Sequence, residues 1–278
     1  MQVVDLNDLN QAHRDVYFAC LECCPEGSQE GREHKARWYT QMRDRGLGVK
    51  LAIDNDGALA GMIQYLPIEL TFAEGRDLYV ILCIWVHGHR RGVGNHQHHG
   101  LGGALLRAAE TDVATRGAKG MVAWGLALPT WMRASWFKKH GYTKVERDGL
   151  AVMLWKPFCD QARPPRWRQR KALPPNAPNK ATVTAFVNGW CPAMNMVSER
   201  ARRACAACGD EVAFRMISTL DDDIRDTWGI TDGLFIDDKQ IRTGPPLSYN
   251  KLLRMIRRRV RHHARHSAPS SRQGRNRG

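Results

Sequence analysis

Five prolines lie close together in the middle of this chain, among polar and basic residues: Pro164, Pro165, Pro174, Pro175 and Pro178. Because proline fixes φ and has no backbone N–H, neither a helix nor the interior of a sheet continues through a stretch of this density. We therefore predict a semi-rigid linker over residues 160–180. The chain has 278 residues, which leaves room for a domain on each side of the linker.

The two flanking segments have the composition of folded domains, and the C-terminus does not. Hydrophobic residues make up 43% of the chain, enough for real cores. We predict an α/β (α+β) domain over residues 1–159 and a smaller α/β domain over residues 181–261. Residues 262–278 are rich in arginine and polar residues and contain no acidic residue. We expect this basic tail to be disordered.

The first domain alternates strand and helix patterns. Residues 49–67 are typical of a strand, an Asn-Asp-Gly turn and a second strand, which predicts a β-hairpin. Residues 80–86, VILCIWV, indicate a strand buried on both faces and are far too few to cross a bilayer. A glycine-rich stretch follows this strand, and an amphipathic helix begins at Gly102.

The order of buried strand, glycine-rich loop and helix start favours an anion site. The first amides of a helix have no partners within it, and the helix dipole adds partial positive charge there. Glycines let such amides approach phosphate oxygens closely. The spacing does not fit the dinucleotide-binding fingerprint or the P-loop, because no ribose-binding acid and no Lys-Ser or Lys-Thr pair follow it.

Residues 97–102, QHHGLG, resemble the pyrophosphate-binding loop of GNAT-type N-acetyltransferases. That loop has Gln or Arg, two residues, Gly, one residue, and Gly or Ala. The flanking strand and helix, and a later helix ending in KKHGY, are similar too, so that the resemblance covers residues 45–158. It implies a mixed sheet flanked by helices and acetyl-CoA as co-substrate. It also implies direct acetyl transfer to an amine, small-molecule or peptide, whose identity the pattern does not give.

In this family acetyl-CoA lies where two parallel strands separate. The resemblance implies that backbone groups of Cys83, Ile84 and Trp85 bind the pantetheine and stabilise the tetrahedral oxyanion. It also implies that Arg91, with Arg90, holds phosphate, although a solvated loop explains these arginines equally well. The implied cofactor-binding set is Ile84, Trp85, Val86, Arg91, Gln97, His98, His99, Gly100, Leu101, Gly102, Gly103 and Ala104.

Acetyl transfer uses an acid for the departing thiolate. The family often supplies a Tyr four residues before Gly141, where this chain has Phe137. His140, Ser135 and Tyr142 are nearby substitutes, or the thiolate leaves unaided.

The general base has several candidates. His87 and His89 lie just past the end of the buried strand at residues 80–86, and Glu69 lies in the preceding strand region. Each of the three is alternatively structural or solvated. The candidate catalytic set is Cys83, Glu69, His87 and His140.

Five histidines between residues 87 and 99 raise the alternative of a zinc site. Zinc ligands normally show a defined spacing and a second anchored pair, and these histidines lie in one loop with no cysteine beside them. We therefore expect no metal.

The second domain shows the order strand, helix, strand, helix, hairpin, helix. Trp190-Cys191-Pro192 precedes its first helix, which resembles thioredoxin-like domains, and the pairing with the first domain resembles YoaP-type proteins. Met194 stands where a redox pair would have its second cysteine, which leaves a monothiol domain. A helix N-terminus lowers the pKa of a thiol, so we predict thiolate character for Cys191. For Cys205 and Cys208 we favour buried thiols over a resolving role.

These patterns leave three functional hypotheses. The first is an acetyl-CoA-dependent N-acyltransferase, and the alternative is a thiol-binding or thiol-handling protein acting through Cys191. The net charge of +14 raises a third, in which the basic tail contacts nucleic acid weakly and without sequence preference. The N-terminus lacks a secretory pattern, so we expect a cytoplasmic protein with reduced thiols and no membrane contact, of unknown oligomeric state.

Overall fold

The computed structural model describes residues 2–8, 10–21, 29–90, 93–128, 132–242 and 244–267. Its first part is built on a seven-stranded sheet in the order β1-β2-β3-β5-β6-β8-β7. The strands and helices of this part are β1 Gln2–Asp5, α1 Gln11–Phe18, α2 Gln29–Met42, β2 Gly48–Ile53, β3 Leu59–Pro67, β4 Ala73–Glu74, β5 Leu78–Val86, α3 Leu101–Thr115, β6 Gly120–Leu126, α4 Ala134–Lys139, β7 Thr143–Asp148 and β8 Ala151–Pro157.

The predicted mixed sheet flanked by helices is confirmed, together with the hairpin β2–β3 and the buried strand β5. α1 ends at Phe18, and the chain then turns through positive φ at Cys20 and Leu21. α4 spans Ala134–Lys139 and belongs to the predicted helix that ends in KKHGY.

The two faces of the large sheet carry separate apolar layers. α3 and α4 cover one face, with Leu105, Ala109 and Phe137 completely buried against it. α1 and α2 cover the other face through Tyr17 and Trp38. Side chains of β5 alternate between these layers, so that the central strand contributes to the apolar layer on both faces of the sheet.

The remaining elements follow the prolines. They are β9 Arg166–Trp167, β10 Ala181–Val187, α5 Pro192–Ala206, β11 Val212–Ser218, α6 Asp222–Trp228, β12 Gly233–Ile236, β13 Lys239–Ile241 and α7 Tyr249–Ser267. Four of these strands form a second sheet in the order β11-β10-β12-β13, with β10 parallel to β11 and antiparallel to β12. The predicted order of strands and helices in this half is confirmed.

The proline-rich segment is not a free spacer. β9 pairs with β4 of the first part. Arg168 donates to the carbonyl oxygens of Thr71 at 3.1 Å and Glu69 at 3.2 Å, and pairs with Asp226 at 2.8 Å. The segment predicted as a linker over residues 160–180 therefore packs on both halves, and the side chain of Arg168 bonds to groups of each half.

The two halves also share a core. Trp190 and Leu220 of the second half lie in the same buried cluster as Trp38 of α2 and Leu82 of β5. Around this core, Arg45 pairs with Asp222 at 2.7 Å. The apolar face of the large sheet that α1 and α2 leave open is thus closed by the second half.

The C-terminal helix is longer than expected. α7 runs to Ser267, so residues 262–267, assigned to the disordered tail, are helical, and the rest of that tail lies outside the described residues. His263 reaches the buried carboxylate of Asp237 at 2.8 Å, which ties this end of the helix to the second sheet. Among the helices of the described segments, none has the length and apolar character needed to cross a membrane.

Candidate functional site

A gap opens between the two parallel strands at the centre of the large sheet. β5 and β6 pair only from Leu78 to Val80 of β5, although β5 continues to Val86. Each strand remains paired on its other side, β5 with β3 and β6 with β8. The separation therefore leaves backbone N–H and C=O groups of the outer half of β5 without a strand partner on the β6 side.

A bulge and an indole fix where the gap begins. The register of β3 against β5 shifts between Gln64 and Tyr65, so that Leu82 is an extra residue in β5. The carbonyl of Leu82 accepts a hydrogen bond from Nε1 of Trp124 in β6 at 3.0 Å. This bond spans the two strands immediately beyond their last paired residues and closes the base of the gap.

The start of α3 lies beside the open end of the gap. Gly100 is the N-cap residue with φ +77°, in the left-handed region that glycine adopts most easily. Leu101 and Gly102 follow in the first turn, and no side chain accepts from the cap amides. A Cβ at Gly102 would lie 3.2 Å from the indole of Trp136, so a larger residue here would require the indole to move by a few tenths of an ångström.

A cleft of about 750 Å³ joins these features. Outside residues 97–102, its described lining includes four Arg or His side chains, namely His96, Arg107, Arg133 and His140. None of the lining residues is Asp or Glu. The lining residues are Ile84, Trp85, Val86, His96, Gln97, His98, Gly100, Leu101, Gly102, Gly103, Arg107, Met132, Arg133, Trp136, Phe137 and His140. Free helix amides, cations and no carboxylate make this cleft suited to an anion such as a phosphate ester.

Most of the predicted cofactor-binding residues come together here. Nine of the twelve line the cleft, namely Ile84, Trp85, Val86, Gln97, His98, Gly100, Leu101, Gly102 and Gly103. His99 and Ala104 lie at the same helix start without lining it. Arg91 lies outside the described residues, so its role stays a prediction, and Arg90 is exposed.

The predicted histidines have different positions. His87 is 1% exposed, and its Nδ1 bonds to the carbonyl of Gly94, while its backbone N–H donates to Ala60. His96 bonds through Nε2 to the carbonyl of Val93 at 2.6 Å. Both rings hold the loop between β5 and α3 in place, so the structure offers His87 no open path to a substrate.

His140 lies in the cleft but near the helix start. Its ring stacks on Trp136 with centroids 4.1 Å apart, and Nδ1 bonds to the Trp136 carbonyl at 2.9 Å. Nε2 would lie 3.6 Å from a Cβ at Gly103. From this position His140 would contact an anion bound at the start of α3 rather than atoms at the base of the gap.

The other catalytic candidates do not line the cleft. Glu69 is exposed in a short 3-10 turn after β3, and not in a strand as expected. Burial raises the pKa of the Cys83 thiol, which packs on the face opposite α3, so only the backbone of this residue faces the gap region. Tyr142 is 2% exposed and burial raises its pKa, and Ser135 is exposed outside the cleft.

Sequence reasoning missed Arg107 and the structural role of Trp124. Arg107 lies one helical turn after Gly103, and its Nη1 would be 3.3 Å from a Cβ there. The i, i+4 spacing from a loop glycine is a signal that could have found it. Nothing in the sequence indicates that the Trp124 indole bonds across two separated strands.

The start of α5 contradicts one prediction. Cys191 is its N-cap residue, and its side chain packs against the shared core. Burial raises the pKa of this thiol to about 12, with Cys20 adding to the rise, while the amides of Met194 and Ala193 offset only part of it. The predicted thiolate is therefore wrong, because desolvation of the charged form outweighs the helix N-terminus.

Nearby groups extend this buried region. Asp232 accepts from Nε1 of Trp190 at 3.1 Å, and burial raises the pKa of Asp232 to about 6. Burial likewise raises the pKa of Cys205 to about 12, and Cys208 is partly exposed. No group of three or more His, Cys, Asp or Glu residues within the described segments is arranged to hold a metal ion.

Comparison with known proteins gives structural likeness only. No family model matches the chain, and no curated protein matches it. An aminoglycoside 6'-N-acetyltransferase from Enterococcus faecium has 17% identity and a TM-score of 0.42, with 59% of this chain and all of that chain covered.

Two further solved structures are complexes with coenzyme A or acetyl-CoA. The PaiA N-acetyltransferase from Thermoplasma acidophilum, in complex with coenzyme A, has 15% identity, 57% and 100% coverage of this chain and that chain, and a TM-score of 0.42. A GNAT family acetyltransferase from Brucella melitensis, in complex with acetyl-CoA, has 16% identity, 59% and 90% coverage, and a TM-score of 0.38.

Proposed function

We propose that this protein is an acetyl-CoA-dependent N-acetyltransferase. The observation that carries the proposal is the juxtaposition of the gap between β5 and β6 with the glycine start of α3, in a cleft lined by cations and no carboxylate. Peptide-like groups can pair with the unpartnered backbone of β5, and phosphates can bind the free amides of α3. A pantetheine arm joined to a pyrophosphate has both kinds of group.

The residues divide the proposed binding between two ends of the cleft. The amides of Leu101, Gly102 and Gly103 would hold the pyrophosphate, with Arg107 and His140 beside them, whereas the amide of Ala104 donates to the carbonyl of Gly100 at 3.1 Å. The backbone of Ile84 and Val86 would bind the pantetheine. At the base of the gap, the Trp124–Leu82 hydrogen bond would limit how deeply the thioester enters.

In the proposed reaction an amine nitrogen attacks the thioester carbonyl, and the carbon–sulfur bond breaks to release the thiolate. A backbone N–H of β5 beyond the bulge would stabilise the oxyanion. Phe137 lines the cleft at the position where related enzymes have a tyrosine, and it has no proton to give. We therefore propose that the thiolate leaves without a side-chain acid, and that the base is a group of the acceptor itself or His89, which is exposed just beyond the end of β5.

We further propose that the second half is a thioredoxin-like domain of the kind found in YoaP-type proteins. Its support is the mixed sheet β11-β10-β12-β13 and the start of α5 directly after Cys191. A function that depends on thiolate chemistry at Cys191 has less support, because burial raises the pKa of this thiol. The second half would then serve mainly to close the open face of the first sheet.

Calorimetry with the full-length chain tests the proposal. We expect saturable binding of acetyl-CoA, and binding of pantetheine, which lacks the phosphates, weaker by at least about tenfold, equivalent to about 1.4 kcal/mol. Arg107→Gln should weaken acetyl-CoA binding, whereas Lys144→Gln, an equal loss of charge at an exposed position on β7, should not. Absence of binding at millimolar acetyl-CoA would contradict the proposal. A panel of amines with detection of released thiol then identifies the acceptor.

A further inference from the structure

The exposed face of α7 carries an unbroken row of arginines. The arginine row consists of Arg254, Arg258, Arg261 and Arg265, which follow one another at steps of four, three and four residues. In a helix with 3.6 residues per turn these steps return to the same face, so that the four side chains form one line about 16 Å long. All four are exposed.

This charge is not neutralised within the described part of the protein. None of the four arginines has a carboxylate partner among the residues that the structure describes, whereas Arg259 and His263 on the neighbouring face both bond to Asp237. From residue 239 to the C-terminus the sequence has no Asp or Glu at all. Like charges at i, i+4 destabilise a helix, so the row is a cost to folding that an anionic partner would remove.

The surroundings of the row favour nucleic acid over a lipid surface. A helix that lies on a membrane inserts an apolar face, but the apolar face of α7 is packed in the core, where Leu252 and Ile256 are completely buried. The exposed positions of α7 contain no Phe, Trp or Tyr on which unpaired bases could stack. A line of guanidinium groups matches the phosphate backbone of a duplex, because arginine binds phosphate through two parallel hydrogen bonds.

We propose that the arginine row of α7 is a binding surface for the phosphate backbone of double-stranded nucleic acid, recognised without regard to base sequence. The surface is part of a folded helix and is separate from the cleft beside α3. It thus differs from the tail contact suggested by composition, and the arginines beyond residue 267 would add to the interaction.

Fluorescence anisotropy with a labelled short DNA duplex tests this proposal over a series of salt concentrations. Each phosphate neutralised contributes about −0.9 to the slope of log K against log salt. Changing the four arginines of the row together to glutamine should therefore reduce the slope by about 3 to 4 and weaken binding at least tenfold. Glutamine keeps a high helix propensity, so the melting temperature should stay equal or rise.

A matched control removes the same charge elsewhere, at four exposed positions: Lys138, Lys144, Arg163 and Arg203. This control variant should keep most of the affinity and most of the slope. Acetyl-CoA binding should be unchanged in the row variant, which separates this surface from the proposed active site.

Three results would overturn the proposal. One is equal loss of affinity in the row and control variants, which would indicate net charge alone. A second is full loss on changing only Arg272, Arg275 and Arg277 to glutamine, with the row variant unaffected. A third is binding of the chain to phosphatidylserine vesicles with no measurable binding to the duplex.

Discussion

Two helices of this protein begin after a strand and a loop, and their starts differ in what surrounds the first amides. α3 begins at Leu101 after an exposed glycine, and its first turn lines a cleft. α5 begins at Pro192 after the partly exposed Cys191, and α2 packs against this helix, with the carbonyl of Gly31 accepting a bond from Asn195. Both helices have a dipole, but Pro192 has no N–H, and the amides of Ala193 and Met194 interact with Cys191. The comparison indicates that a helix start can bind an anion only where its first amides are both present and accessible.

The largest expected effect concerns Cys191 at the start of α5. With a thiol pKa of about 12, the thiolate fraction of Cys191 near pH 8 is roughly a thousandfold below that of an ordinary cysteine. We expect alkylation of Cys191 by iodoacetamide to be slower by about that factor and to rise about tenfold per pH unit between pH 7 and 10. Peptide mass spectrometry measures this, with Cys159, which is partly exposed as Cys191 is, as the internal control.

Rapid labelling of Cys191 at neutral pH would mean that the start of α5 is open and reactive. The two helix starts would then be alike, and the thiol-handling alternative would regain its support.

The proposed role of the start of α3 in binding phosphate is tested by the substitution Gly102→Val. The new side chain would meet the indole of Trp136 and occupy space beside the first amides of α3. Loss of two amide–phosphate hydrogen bonds at ~1.5–3 kcal/mol each predicts acetyl-CoA binding weaker by about a hundredfold or more. Calorimetry gives the affinity, and thermal melting without ligand should change much less.

His99→Ala is the matched control, because His99 belongs to the same loop but does not line the cleft. We expect it to bind acetyl-CoA within about threefold of the unchanged protein. If the histidine change abolishes binding and the glycine change spares it, the amides of α3 are not the anion site.

The smallest of the three effects concerns what covers α5. Nδ2 of Asn195, a residue 1% exposed, donates to the carbonyls of Gly31 in α2 at 3.0 Å and Gly189 at 2.8 Å. Asn195→Ala removes both bonds inside the protein, so we expect a loss of about 2 kcal/mol in the free energy of unfolding, measured by urea denaturation. Labelling of Cys191 should become faster, because local opening costs less.

Asn250→Ala changes an exposed asparagine of α7 and should alter stability by no more than about 0.5 kcal/mol. Equal stability of the two variants would show that the Asn195 bonds do not hold α5 against α2.

Local patterns were enough to predict most strands and helices and to place the glycine-rich loop at the start of α3. Periodicity identifies β5 and α3, and the glycines mark the loop between them, because these signals depend on residues adjacent in sequence. The cleft therefore contains most of the residues named from the sequence.

Contacts between distant segments were not predictable in this way. Cys191 packs against a core cluster that also includes Cys83 and contacts Cys20, and these two cysteines lie far from it in sequence. The position of Arg168 on carbonyls of the first part and the indole bond of Trp124 across the gap have the same origin. A proline-rich composition indicates where regular elements stop, but it does not reveal that the segment packs on its neighbours.

The shared core has a consequence for how this protein can be divided. A fragment ending near residue 159 would expose the apolar surface that Trp190 and Leu220 cover, and a fragment beginning near residue 181 would lose the partner of those same side chains. The two halves therefore depend on each other for solubility and for order, and a cut in the proline-rich segment separates two incomplete bodies. We therefore expect the two halves to unfold on heating as a single cooperative unit, although the protein contains two separate sheets.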